Sequence, residues 1–184
     1  ANEGIAYQGA IPLGKGFLLT TAEADAIAQV DPISSEVIFD YLSGDDLLSN
    51  PRQEPSRRVI SFWDWSEERA KRYKLAYERL LRLVKPERDT NNRKERREKW
   101  WHFAEKAPAL YHAIGRGNFF EKHPGWWSPG CARLSRVLFH SFTSKYVCFD
   151  FVSADLIYAG PHNVVASDDA RMFLFLQSSI HDAW

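Results

Sequence analysis

Apolar positions along the chain recur with two periods, and the change from one to the other marks out its elements. Thr20-Thr21-Ala22-Glu23 has the form of a capping box, in which the hydroxyl caps a helix start and the glutamate reaches back. A short helix is predicted from there to about Val30, ended by Asp31-Pro32. Val37 to Leu42 reads as a second short helix, closed by Ser43-Gly44. Arg58 to Phe62 alternates and is rich in β-formers, which predicts a strand. Ser66 followed by Glu67 and Glu68 opens a longer helix, since acids in the first turn complement the positive end of the helix dipole. Along it Tyr73, Tyr77, Leu80 and Val84 step by three or four residues, and Pro86 stops it. A further helix from about Asn91 leads into Trp100 and Trp101, whose indoles read better as core than as stacking platforms.

Gly115, Gly117, Pro124, Gly125, Pro129 and Gly130 mark a loop. Two strands follow, Val137 to Phe142 and Lys145 to Val152, the second with Val147, Phe149 and Phe151 on one face. The Thr143-Ser144 link between them is short enough to predict a tight hairpin turn. Asp155 to Ala159 and Asn163 to Ala166 read as further strands. Ser167-Asp168-Asp169 then caps a last helix with Phe173, Leu176, Ile180 and Trp184 on one stripe. That stripe runs to the final residue, as expected of a single domain cut from a larger protein. The fold expected is α+β: a mixed or antiparallel sheet with a hairpin, packed against several helices.

Charge changes this picture. The 184 residues carry 24 Lys/Arg and 24 Asp/Glu, yet the two signs are segregated. Ala22 to Glu54 holds eight acids and one base, Arg57 to Lys145 holds 21 bases and ten acids, and the stretch from Asp150 is acidic again. Between Arg79 and Lys99 alone there are nine Lys/Arg against four acids. A neutral chain with a positive middle points to one anionic partner held by one face. Cationic side chains beside planar aromatic and amide groups are what a phosphate backbone and base edges require; a solvated helical face is the alternative. No apolar run approaches the roughly 18 residues a membrane span needs. Two cysteines, Cys131 and Cys148, without a disulfide framework, fit a reducing, cytosolic setting.

Several patterns resemble reactive sites and are better read as structure. Gly9 to Lys15 has the spacing of a phosphate loop, but Gly16 stands where a Ser or Thr would hold magnesium, and Phe17 onward does not open a helix. His102, His112, His123, His140, His162 and His181 are scattered and form no zinc pattern. There is no Glu-x-Lys of a common nuclease and no Gly-x-Ser-x-Gly elbow. No catalytic residue, metal or cofactor site is expected in this chain.

Eight stretches carry a family resemblance. They are Asn2 to Gly9, Leu13-Gly-Lys-Gly-Phe17, Val37 to Leu47, Pro55 to Phe62, Val84-Lys-Pro-Glu-Arg88, Glu98-Lys-Trp-Trp101, Thr143-Ser-Lys-Tyr146 and Leu176 to Trp184. In this order, over nearly the whole chain, they resemble the target recognition region of MmeI-like type II restriction-modification enzymes, which are adenine-specific DNA methyltransferases. Gly115 to Gly130 matches least well. Such enzymes carry an Asn-Pro-Pro-Tyr-type catalytic motif and a glycine-rich cofactor loop in a methyltransferase domain upstream. This chain has no Pro-Pro pair, so that motif is absent.

The resemblance therefore implies that residues 1–184 are a DNA-reading domain without its catalyst. Double-stranded DNA would be one partner and the methyltransferase domain of the same polypeptide the other, in a bacterial cytoplasm. S-adenosylmethionine and the extruded adenine would belong to the parent's other domain. Lys85, Arg88, Arg93, Lys94, Arg96 and Arg97 are placed as phosphate contacts. Thr143, Ser144 and Lys145 on the hairpin turn, with Arg136, are placed as base readers, against the alternative of an ordinary polar turn. A protein-interaction module of a bacterial defence complex is the rival reading, in which the basic middle meets an acidic protein. Calorimetric titration of the isolated chain with S-adenosylmethionine should give no saturable heat; clear saturation would overturn the assignment to a catalyst-free part.

Overall fold

A computed structural model describes residues 4–117, 133–145 and 147–178. Its elements are β1 (Ala6–Gln8), β2 (Leu18–Leu19), α1 (Thr21–Val30), β3 (Ile38–Leu42), α2 (Gly44–Ser49), β4 (Arg57–Ile60), α3 (Glu67–Ala70), α4 (Lys74–Leu83), α5 (Lys85–Asp89), α6 (Lys94–Glu98), α7 (Pro108–Ala113), β5 (Arg136–His140), β6 (Phe149–Ser153), β7 (Ile157–Tyr158), β8 (Asn163–Val165) and α8 (Ala170–Leu176). Short 3-10 turns at Lys15–Phe17 and Pro32–Val37 complete the described elements. The strands form two four-stranded sheets, ordered β1-β8-β5-β6 and β2-β4-β3-β7. The first is antiparallel throughout, and the second is mixed because β3 and β7 run parallel. This is the α+β class that the sequence predicts. No described helix is long and apolar enough to cross a membrane.

The first sheet buries both faces, and the period of two along each strand decides which side chain goes where. Val137 and Phe139 of β5, with Val152 of β6 and Val164 of β8, enter the main core. Leu138, Phe149 and Val165 point the other way and are covered by Met172, Phe173 and Leu176 of α8. Phe149 and Phe151 share that face as predicted, while Val147 lies before the strand. Ile180 and Trp184 of the predicted stripe lie outside the described residues, as do Cys131 and most of the predicted glycine-proline loop.

The predicted capping box closes as drawn: Glu23 N donates to Thr20 Oγ1 at 3.2 Å and Thr20 N to Glu23 Oε2 at 2.9 Å. Residues 37–42 are not a helix. Ile38–Leu42 is an inner strand, with β4 on one side and β7 on the other. The mostly apolar and aromatic Ile-Phe-Asp-Tyr-Leu suits a pleated, half-buried surface, and the exposed Asp40 faces Arg58 across the ladder in an ion pair of 3.2 Å. Ser43, predicted as a helix stop, instead caps α2.

The long helix expected from Ser66 is broken in two. Tyr73 leaves helical geometry to stack on Trp65, ring centroids 5.8 Å apart, and its hydroxyl donates to Glu36. Free N–H groups at the new helix start then find partners on the preceding 3-10 turn, Leu75 N on Asp31 Oδ2 (3.0 Å) and Ala76 N on Ser34 Oγ (3.4 Å). Pro86 does end α4 nearby, but it also sits in the first turn of α5, where its missing N–H costs nothing.

Between the sheets runs a seam of bare backbone. After β1, Gly9 N donates to His162 O (3.0 Å), Ala10 N to Tyr158 O (2.8 Å), and Gly160 N to Ala10 O (2.7 Å). Ile11 and Glu105 exchange backbone hydrogen bonds on the opposite side. A Cβ built on Gly9 would lie 2.5 Å from Tyr158 O and 2.6 Å from Ala159 O, so no side chain fits there. Gly9→Ala should therefore destabilise the fold by about 1–3 kcal/mol, the usual cost of overpacking a close-packed interior. Urea unfolding of wild type and variant measures it, and an unchanged midpoint would mean that the seam can spread.

Candidate nucleic-acid interface

The basic segment owes its shape to the aromatic residues that end it. Trp101 Nε1 donates to Trp65 O at 2.9 Å, and Trp100 packs on Tyr77 with centroids 5.4 Å apart. Both indoles are buried, as the core reading predicts. With the indoles drawn inward, α5, the single turn of α6 and residues 99–108 line a half-open cavity of about 490 Å³. Arg88, Arg93, Lys94, Arg96, Lys99 and Lys106 line it, against only Glu95 and Glu105.

Three of these cations, and Lys85 beside them, have acidic neighbours. Lys85 pairs with Asp89 (2.7 Å), Lys94 with Glu98 (3.6 Å), Lys99 with Glu95 (3.3 Å) and Arg96 with Glu105 (3.7 Å). Solvent-facing pairs of this kind contribute little and yield easily to a stronger anion. Arg93 and Arg97 are exposed and form no ion pair among the described residues; Arg97 Nη1 instead donates to Asn91 O at 2.5 Å. Arg88 departs from its predicted place. It is buried, with Nη2 donating to Pro12 O (2.8 Å) and His102 O (3.2 Å), so an anion would meet it only inside the cavity and not on the exposed face. Sequence reasoning placed it outside because periodicity cannot follow a chain that bends at Val84 and again after Asp89. Lys99, at the end of the basic segment, lines the cavity too, and so does Lys106, which lies beyond that segment.

The predicted two-residue hairpin turn is also different. His140 pairs with Phe149, so the connection runs over residues 141–148, and Thr143, Ser144 and Lys145 sit within it. Thr143 and Lys145 are exposed and Ser144 is half-buried; Tyr146 lies outside the described residues. Arg136 is at the far end of β5, where it stacks 3.8 Å over Phe151 and donates to Asp168 O, so it does not gather with the loop.

His162 holds the loop in place. Gly44 N points at its Nε2 and Phe142 N at its Nδ1, both at 3.1 Å. A neutral imidazole has one acceptor nitrogen, so either amide, but not both, donates to it at a time. Burial keeps the ring neutral by lowering its pKa. Gly44 is required for this approach, since a Cβ there would lie 2.4 Å from Ser141 Oγ and 2.6 Å from His162 Cε1. The loop thus presents Phe142, 61% exposed, beside Thr143. The loop's anchor and the cationic cavity share one frame: Glu105 and the 158–162 segment both hydrogen-bond to the Gly9–Ile11 backbone. Gly9–Lys15 serves as that seam and a following turn, as its structural reading requires.

No family model and no curated protein matches the chain. Among solved structures, its fold is similar to that of the Type IIL restriction-modification enzyme MmeI in complex with DNA, with a TM-score of 0.67 and 16% identity. The likeness covers 98% of this chain and 21% of that one, so the chain spans about a fifth of that enzyme's length.

His102, on the cavity wall, ties the site to pH. It is buried, bonds Trp65 O through Nε2 at 2.7 Å, and has its pKa pulled down to about 4 by desolvation. The unfolded chain takes up this proton near pH 6.5 and the folded one only near 4, so the stability is complete above 6.5 and lost as pH falls from 6.5 to 4. The loss is on the order of 3 kcal/mol. His162 acts in the same direction, whereas the lowered pKa of Asp46 acts below about 3.8. His102→Gln, which keeps a donor toward Trp65 O, should flatten this part of the stability profile in urea titrations. An equally steep profile would show that His102 charges freely in the folded state.

Proposed function

We propose that this chain is the target recognition part of an adenine-specific DNA methyltransferase of a restriction-modification or phage-defence system. The observation that carries the reading is the cavity at α5, α6 and residues 99–108, where six Lys/Arg converge against two glutamates on an otherwise neutral chain. The fold shared with an enzyme solved on DNA supports the same reading. In this reading Lys85, Lys94 and Arg96 exchange weak carboxylate partners for phosphates, Arg93 and Arg97 meet phosphates directly, and together they fix the register on the duplex. The 141–148 loop, with Thr143, Ser144 and Lys145, supplies the polar groups that meet base edges in the major groove. S-adenosylmethionine and the extruded adenine belong to a methyltransferase domain of the same polypeptide, which works in the bacterial cytoplasm.

Anisotropy titration of labelled duplex DNA against salt tests this. Log affinity should fall by roughly 0.9 per neutralised phosphate for each tenfold rise in salt. Changing Arg93, Lys94 and Arg97 together to Ala should reduce that slope by about 2–3 and weaken all sequences alike. An unchanged slope in a folded triple variant would leave these residues as a solvated face. Absence of any salt-sensitive duplex binding by the wild type would favour an acidic protein partner.

A further inference from the structure

Arg88 is a cation that the fold has buried without a salt bridge among the described residues. The side chain is 2% exposed, on the inner wall of the cavity. Its two protein partners, Pro12 O and His102 O, are neutral carbonyls, both taken by Nη2. Nε is sealed from solvent with no partner. Nη1 makes no hydrogen bond among the described residues, and Arg88 lines the cavity. The two glutamates lining the same space are engaged elsewhere, Glu105 with Arg96 and Glu95 with Lys99, and the Arg96 charge opposes that of Arg88. A guanidinium does not give up its proton in proteins, so this charge persists. Buried charges are tolerated when something pairs with them, and here the described residues supply no ion pair, only the Phe17 ring 5.9 Å away and the charge of Glu87 beyond salt-bridge reach.

We propose that the cavity is a seat for one phosphate group, with Arg88 Nη1 as its innermost donor. Resting on the DNA-reading function above, the phosphate is a phosphodiester of the bound duplex; inorganic phosphate has the same chemistry and serves as the probe. Phosphate fits better than a carboxylate because it brings more acceptor oxygens to a wall with six cationic side chains. The planar guanidinium also meets phosphate in a fixed geometry that a flexible ammonium does not reproduce. The exposed cations would grip several phosphates interchangeably, whereas the one phosphate that reaches Arg88 sets the position of the duplex.

Two measurements test the seat. In the first, the melting temperature of the chain is followed with inorganic phosphate and with chloride at equal ionic strength. Phosphate should raise it by several degrees over chloride in the wild type and not in Arg88→Met; no preference for phosphate in the wild type would overturn the seat. Should Arg88→Met fail to fold, Arg88→Lys replaces it, and the phosphate preference should then shrink. The second uses the wild type alone and duplexes carrying one neutral methylphosphonate at each backbone position in turn. One position should weaken binding about tenfold and its neighbours far less. Even, shallow losses along the backbone would overturn the duplex phosphate as the occupant, leaving free phosphate if the first measurement is positive. Phosphate stabilisation without any duplex binding would keep the seat and sink the DNA-reading function; duplex binding without either effect would do the reverse.

Discussion

The two sheets share one side-chain core, and along one line this fold also joins them through backbone. Gly9 and Gly160 lie so close that a Cβ on either would run into the other segment, at 2.5 Å from Tyr158 O for Gly9 and 2.9 Å from Gly9 O for Gly160. The gain is a continuous set of hydrogen bonds from Leu42 O through Ala159, Ala10 and Ile11 to Glu105. Hydrogen bonds of this kind fix the relative height of strands to within a residue, because a slip would reverse every side chain. Both halves of the candidate site hang from that line: Glu105 and Lys106 at one side, and the 158–162 segment with its loop-anchoring histidine at the other. A shift in the seam would move the cationic cavity and the 141–148 loop relative to each other.

What the sequence makes legible here is local. The capping box at Thr20, the strand at Arg58 and the shared face of Phe149 and Phe151 follow from contacts within a few residues or from one period. The misreadings share a cause. Residues 38–42 become a strand because β4 and β7 flank them, and the helix after Ser66 breaks because Asp31 and Ser34 cap a new start from more than forty residues away. The hairpin turn depends on where β6 begins pairing, which Lys145 and Val147 do not announce. At the site, the sequence shows where positive charge is concentrated but not which of the charges face water. Arg88 and Arg93 look alike in sequence; one is buried and the other is exposed.

The pairing of the exposed cations bears on how such a surface would work. Lys85, Lys94 and Lys99 each have a carboxylate four residues away on their own turn, so the free protein presents a compensated face rather than a bare positive one. Pairs in water are individually weak and screened by salt. A dense row of phosphates outcompetes them, while isolated acidic side chains offer no comparable gain. Local compensation therefore suppresses weak association without preventing strong association, which suits a polyanion better than a scattered set of carboxylates.

Arg88 gains its geometry from the core and not from the surface. Trp65 O receives two donors, Trp101 Nε1 at 2.9 Å and His102 Nε2 at 2.7 Å, and these pin the backbone at residues 101 and 102. The carbonyl of His102, so fixed, receives Arg88 Nη2, and Pro12 O receives it from the other side. The guanidinium is thus oriented by groups that are themselves held, the condition under which a charge is preorganised and need not be ordered when a ligand arrives. The same arrangement explains why two tryptophans end the basic segment. Their burial contributes to the core, and it also carries the rigidity of that core to the wall of a cationic cavity.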